Sequence, residues 1–257
     1  MSNLFFDVDG TLVDPLSHKI PQSTITAITK AQKNGHKCFI ATGRHLYKLL
    51  EVKDIQKIKW DGYILDNGSL ILDHNFNTVF AHHLTSYQVR EVINTCKQQQ
   101  ISCSLQLYDK TIFPLGTSQY VRNTFKFLDW KETPSIQEYQ DEKVIYMMIY
   151  YPQNSDIRVF QNIDGIQCFA NNSDYADINV AGITKATGIT TISNHYKLNV
   201  STYAFGDGNN DLEMLSAADN GIAMGNASQE LKKISDYITD NVDADGIYHA
   251  LIHYKLI

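Results

Sequence analysis

Leu4-Phe5-Phe6 runs directly into Asp7-Val8-Asp9-Gly10-Thr11, an apolar triplet that ends in acid within ten residues of the amino terminus. A short continuous apolar run of this kind reads as a strand buried on both faces, the type a parallel sheet keeps at its centre. Gly10 then breaks the strand, so Asp7 and Asp9 stand where the chain leaves the core. Two carboxylates this close need a cation or a shared proton. That requirement narrows the fold to one that carries crowded negative charge at the end of a central strand.

From 1 to 79 strands and helices alternate. Ile25, Ile28 and Ala31 mark a helical face that follows Pro21 and ends near Gly35; strands follow at Lys37 to Ala41 and Tyr63 to Leu65. This is the rhythm of a parallel sheet with crossover helices. Between 80 and 180 it changes to short strands at Ser104 to Leu107, Thr111 to Pro114, Val144 to Tyr151 and Gln167 to Ala170, with helices at Tyr87 to Gln98 and Ser118 to Phe127. From 181 to 257 the first rhythm returns: a helix from Thr184, a strand Thr202 to Phe205, a helix Leu212 to Ala218, a strand Gly221 to Met224 and a helix from Ser228. The pattern predicts an α/β core split by an inserted α+β unit.

Net charge is -6 with no basic block, which argues against nucleic acid or an anionic membrane as a partner. No apolar run reaches the ~18 residues of a membrane span, and the first residues lack a signal peptide's basic start and apolar core, so the expected location is cytoplasmic. Cys38, Cys96, Cys103 and Cys168 show no metal spacing and read as small buried hydrophobes. His82 and His83 are adjacent and would face opposite ways on a strand, which suits a loop or surface position.

Four separated pieces belong together: Asp7-Val8-Asp9-Gly10-Thr11, then Ala41-Thr42-Gly43-Arg44, then Lys185, then Gly206-Asp207-Gly208-Asn209-Asn210-Asp211. Three of them follow apolar strand runs directly, and in an open parallel sheet ligands bind beyond the strands' carboxyl ends. Taken singly, Thr42-Gly43 is an ordinary turn, Asp211 an ordinary helix cap and Lys185 an ordinary surface lysine. Their conjunction in this order is what carries the argument.

With these motifs the chain resembles the haloacid dehalogenase superfamily phosphatases, in the Cof-type branch whose large cap (type IIB, C2) is inserted between the second and third motifs. The resemblance extends over essentially the whole chain. It implies a Rossmann-like core, an α/β cap and Mg2+-dependent hydrolysis of small phosphorylated metabolites, sugar phosphates first, with phosphorylated cofactors such as flavin mononucleotide or pyridoxal phosphate behind. By match to the family's fourth motif, Asn210 would donate to the phosphate. The family often has Gly after the third-motif lysine, where this chain has Ala186.

The residues support that chemistry on their own terms. Asp7, ionised at neutral pH, is a nucleophile that needs no base and would form an aspartyl-phosphate; Asp9 can serve as general acid and then base. Mg2+ takes one or two carboxylates plus phosphate oxygens, so Asp7, Asp207 and the carbonyl of Asp9 make an incomplete shell, and Asp211 either steadies a metal-bound water or holds Lys185. Thr42 offers a hydroxyl, Gly43 an unobstructed N–H, and Lys185 a point charge at a helix start. A phosphomutase on the same core, or a non-catalytic sensor of a phosphorylated ligand, are the rival readings; a sensor could dispense with Asp9.

Three further features read first as structure. Tyr146 to Tyr151 is an aromatic and sulfur-rich strand expected in sheet core rather than lining a pocket. Asp66-Asn67-Gly68 is a tight turn, although the family places a similar Asn-Gly near the substrate. Asn171, Asn172, Ser173 and Asp174 form a polar loop that could face the site.

Overall fold

Strand β1 (Asn3–Phe6) is buried along its whole length, with Phe5 stacked on Phe39 and Phe6 on Phe205. Those rings belong to the strands on either side, so the apolar triplet is the middle of a sheet. The computed structural model describes residues 1–257 apart from 129, 132 and 171–173; of the polar loop, Asn171, Asn172 and Ser173 therefore lie outside the described residues.

Helix α1 (Gln22–Lys33) starts after Pro21, whose fixed φ suits a helix start, and buries Ile25, Ile28 and Ala31. Gly35, at φ +89°, turns the chain into β2 (Lys37–Ala41). Short helix α2 (Leu46–Leu50) leads to β3 (Gly62–Leu65), then β4 (Leu70–Asp73) and β5 (Thr78–Ala81).

The next segment has its own architecture: α3 (Ser86–Gln99), β6 (Ser102–Gln106), β7 (Thr111–Ile112), α4 (Gln119–Phe127), β8 (Tyr146–Tyr150), β9 (Ile166–Ala170) and β10 (Tyr175–Val180). Its five strands form an antiparallel sheet in the order β7-β6-β8-β10-β9. Strand β8 alternates as a pleat must: Met147 and Ile149 join the cluster that includes Val89, Val92 and Cys96 of α3, whereas Tyr146, Met148 and Tyr150 pack with Phe113, Val121 and Phe125. The whole stretch from Tyr146 to Tyr151 is sheet core.

The chain then returns through α5 (Lys185–Tyr196), β11 (Thr202–Gly206), α6 (Leu212–Ala217), β12 (Asn220–Ala223), α7 (Gln229–Ile234), β13 (Tyr237–Ile238) and α8 (Gly246–His253). The first sheet reads β13-β12-β11-β1-β2-β3-β4-β5, parallel from β13 to β3 and antiparallel between β3 and β4. This is a Rossmann-like α/β core interrupted by an inserted α+β cap. By contacts the chain divides into Met1–Phe80 with Thr184–Ile257, and Ala81–Ile183. Strands β2 and β3 extend the sheet to one side of β1, and β11 to β13 to the other. The order reverses between β1 and β11, and the crevice beyond their carboxyl ends is the natural ligand site.

Several elements depart from the sequence expectation. Strand β7 stops at Ile112 instead of reaching Pro114, a residue with no N–H for a ladder. Strand β10, where Ala176, Ile178 and Val180 alternate with Asp177 and Asn179, the hairpin partner β4, edge strand β13 and helix α8, which buries Ile247, Ala250 and Leu251, add to the elements expected from sequence. Cys38, Cys96 and Cys103 are buried, while Cys168 is half-buried; His82 and His83 lie just after β5. Among the described residues no helix is long and apolar enough to cross a membrane.

Candidate active site

Adjacent parallel strands β11, β1 and β2 end at Gly206, Phe6 and Ala41, so Asp207, Asp7 and Thr42 emerge along one edge of the sheet. Lys185 comes from a different direction, at the first turn of α5. That turn is set by a capping box: Thr184 accepts from the Thr187 N–H at 3.4 Å, and the Thr187 hydroxyl accepts from the Thr184 N–H at 3.0 Å.

The buried ammonium of Lys185 joins two of these pieces. Its Nζ donates to Asp7 Oδ1 at 2.6 Å and to Asp211 Oδ1 at 2.7 Å. Asp211 Oδ2 accepts from the N–H groups of Asp207 and Gly208, both at 3.0 Å. Both oxygens of Asp211 are therefore spoken for, and of its two expected tasks the one visible here is holding Lys185.

Carboxylate oxygens of Asp7, Asp207 and Asp211 lie within 4.8 Å of one another, a spacing that suits a hard divalent cation. Thr11 donates to Asp207 Oδ1 at 3.3 Å, and the Asn226 amide donates to the Gly10 carbonyl at 2.7 Å, tying the β1, β11 and β12 ends together. Gly10 has φ +81°, and a side chain there would overlap the Asp207 carboxylate. Glycine is required so that the first acidic loop can pass this close to the second.

Charge crowding shows in the titration of the group. Burial raises the Asp7 carboxyl to about 7, with Lys185 pulling it down and Asp211 and Asp9 pushing it up. Burial, then Asp7 and Asp211, raise Asp207 to about 8. For Lys185 burial works against the ammonium, but Asp211 and Asp7 outweigh it and hold the group above the ordinary lysine range. These are the marks of a site built to share cationic charge.

Asp9 stands apart from the carboxylate cluster. Arg44 grips it with two bonds of 2.7 Å, Nε to Oδ2 and Nη2 to Oδ1, the guanidinium 11% and the carboxylate 46% exposed. Arg44 is itself anchored by Nη1 on the Lys48 carbonyl at 3.1 Å. Its N–H donates to the Thr42 hydroxyl at 3.1 Å, leaving the hydroxyl proton of Thr42 for another acceptor. Gly43 and Asn210 flank the turn at Asn67: the Asn210 amide donates to Asn67 Oδ1 at 3.1 Å, and a Cβ at Gly43 would lie 3.1 Å from that same oxygen.

All eight residues singled out in the sequence, Asp7, Asp9, Thr42, Gly43, Lys185, Asp207, Asn210 and Asp211, thus lie on the strand ends, turns and helix start that meet at this edge. Nothing in the sequence alone points to Arg44's hold on Asp9, Thr11's on Asp207 or the contribution of Asn226, except that Asn226 stands just beyond a further parallel strand.

The family of haloacid dehalogenase-like hydrolases matches this chain over residues 4–251. Among solved structures, that of BT4131, a sugar phosphatase of subclass IIB in that superfamily, is similar with a TM-score of 0.89 at 30% identity, covering 100% of both chains. BT1666 from Bacteroides thetaiotaomicron, in a study of phosphatases of the same superfamily, gives a TM-score of 0.90 at 29% identity over 100% of this chain and 96% of its own. The pyridoxal phosphate phosphatase YbhA of Escherichia coli (strain K12) is 26% identical over 96% of this chain and 97% of that protein.

Proposed function

The chain belongs to the haloacid dehalogenase-like hydrolases and is a phosphatase of that family, and from this premise we propose that it hydrolyses small phosphomonoesters, with Mg2+, through an aspartyl-phosphate on Asp7. The observation that carries the reading is the buried Lys185 ammonium bonded to Asp7 and Asp211 beside Asp207. It holds the Asp7 carboxylate with one oxygen engaged and the other available for attack.

Asp7 attacks phosphorus in line; the bond from phosphorus to the ester oxygen breaks, and Asp9 in its acid form gives that oxygen its proton. Asp9, now a carboxylate, takes a proton from water as the water attacks phosphorus, and the Asp7–phosphorus bond breaks to release phosphate. Thr42, Gly43, Lys185 and Asn210 hold the non-bridging oxygens, whose charge is the main demand of this transition state.

Asp7, Asp207 and the Asp9 carbonyl would hold Mg2+, with Asp211 behind them fixing Lys185. When bound, the ion supplies electrostatic shielding between the Asp7 carboxylate and the phosphate dianion. Sugar phosphates are the first substrates to consider, because a sugar phosphatase is among the similar structures. Phosphorylated cofactors follow, because a pyridoxal phosphate phosphatase is among the relatives. The protein is expected to act in the cytoplasm, with no nucleic-acid or membrane partner. The inserted cap, 80–180, is proposed to select the leaving group.

The test is phosphate release from a panel of phosphorylated sugars, nucleotides and cofactors, with Mg2+ and with chelator. Metal-dependent release supports the reaction class, and the order of kcat/KM names the substrate class. Asp7→Asn should fall to background while folding and ligand binding persist. Unchanged turnover in that variant, or no release by folded, metal-loaded protein, would overturn the proposal and favour a mutase or a sensor.

A further inference from the structure

Directly behind the phosphate-gripping residues sits a buried histidine–aspartate pair with no part in the chemistry above. His45 Nδ1 lies 2.7 Å from Asp66 Oδ2, with the two side chains 1% and 0% exposed. A buried pair of this kind is weak support for stability, since desolvation offsets most of its attraction; its better-attested use is to specify one local arrangement.

The arrangement at this place is unusual. Asp66, Asn67 and Gly68 are three consecutive residues with positive φ, at 52°, 53° and 101°. Side-chain-bearing residues resist that conformation and keep it only where the surroundings dictate it, and such strain gathers at functional sites. Here the Asp66 N–H donates to the Arg44 carbonyl at 3.2 Å and the Asn67 N–H to the Thr42 carbonyl at 3.0 Å. Gly68 leaves no room for a side chain against the Thr184 carbonyl, next to Lys185. Asn67 accepts from Asn210 and lies against Gly43. One turn therefore touches the segments that carry Thr42, Gly43, Lys185 and Asn210.

We propose that His45 and Asp66 are a positioning pair, whose buried bond locks the left-handed Asp66-Asn67-Gly68 turn so that Asn67 fixes Asn210 and Gly43 at the spacing that takes a phosphoryl oxygen. The inference rests on the reading of Gly43 and Asn210 as phosphate holders. It assigns His45 and Asp66 no contact with substrate; they act through Asn67.

The experiment is calorimetric binding of inorganic phosphate in the presence of Mg2+, together with Mg2+ half-saturation, for wild type and four variants. His45→Phe keeps the ring and removes the bond. Asn67→Gly suits positive φ and removes the amide, and the third variant combines the two. Because small displacements of positioning groups are costly, each single variant should weaken phosphate about tenfold and leave the Mg2+ requirement within about twofold. The double variant should be no weaker than Asn67→Gly alone, since both changes remove one device. Asp66→Asn, which keeps an acceptor for His45, should recover most of the affinity.

Wild-type phosphate affinity in Asn67→Gly would overturn the proposal, and that variant remains informative even if His45→Phe does not fold. Fully additive losses in the double variant, or equal losses of phosphate and Mg2+ binding, would also overturn it by reducing the pair to a general structural role. If wild type itself bound no phosphate, the failure would lie with the proposed function instead.

Discussion

In the proposed mechanism Asp9 gives up a proton, yet the structure holds both of its oxygens on a guanidinium. The planar fork orients the carboxylate, so in the proposed mechanism Arg44 would aim Asp9 at the attacking water and would have to loosen when Asp9 gives its proton to the leaving group. Lysine would keep the charge and lose the planar two-bond grip. We therefore expect Arg44→Lys to lower kcat about tenfold, a fraction of the full worth of an acid–base group, with a smaller change in KM. Steady-state kinetics on the best substrate of the panel decides this, and an unchanged kcat would remove Arg44 from the orientation of Asp9. Arg44 was visible in the sequence as part of Thr-Gly-Arg, but its target was not. That Asp9 is its partner follows only from β1 and β2 being neighbours, a contact across 35 residues. The same holds for His45 with Asp66 and for Asn226 with Gly10: each is an ordinary residue until the topology gives it a neighbour.

Helix α5 delivers Lys185, and its seat on the sheet is set by an absence. Gly188, one turn along, faces Ile64 of β3, whose methyl a Cβ would overlap. Alanine would gain about 1 kcal/mol of helix propensity over glycine. Overpacking against a buried β-branched side chain costs about 1–3 kcal/mol, so the loss should win. Gly188→Ala is expected to lower the melting temperature by a few degrees and to cut kcat, because the shift passes to Lys185 within the same rigid turn. A higher melting temperature with unchanged kcat would show that the helix can yield without moving the ammonium. At this scale the sequence was informative wherever one physical signal dominated: an apolar run for β1, an aromatic and sulfur-rich run for β8, Thr184 opening α5. It failed where polar residues occupy a sheet interior. Strand β10 sets Asp177 and Asn179, both buried, between Ala176, Ile178 and Val180, an alternation rather than the continuous apolar run of a buried strand.

Across the molecule, the cost of crowding carboxylates should appear as pH-dependent stability. Asp7 and Asp207 titrate near 7 and 8 in the folded chain and near 4 when unfolded. A carboxyl raised in this way binds its proton more tightly when folded. Its stabilisation is fully present below the unfolded value and is lost as pH rises through the folded one. Without metal, the unit that holds the site should therefore become less stable between about pH 5 and pH 8. Metal binding needs the same groups deprotonated, so protons compete with the ion at the acid end of that window. Mg2+ at about 100 times its Kd stabilises a folded unit by about 2.7 kcal/mol, which raises the melting temperature of a domain of this size by roughly 5–10 °C. The Mg2+-induced shift should accordingly be small near pH 5 and full near pH 8, reversing the metal-free trend. Thermal melts across that range, with fixed Mg2+ and with chelator, measure it directly. In Asp207→Asn the carboxylate repulsion is relieved, so the metal-free melting temperature at pH 8 should rise while the Mg2+ shift disappears. A shift that did not change with pH, or that survived in Asp207→Asn, would mean that the ion binds elsewhere and that the buried carboxylates are balanced by Lys185 alone.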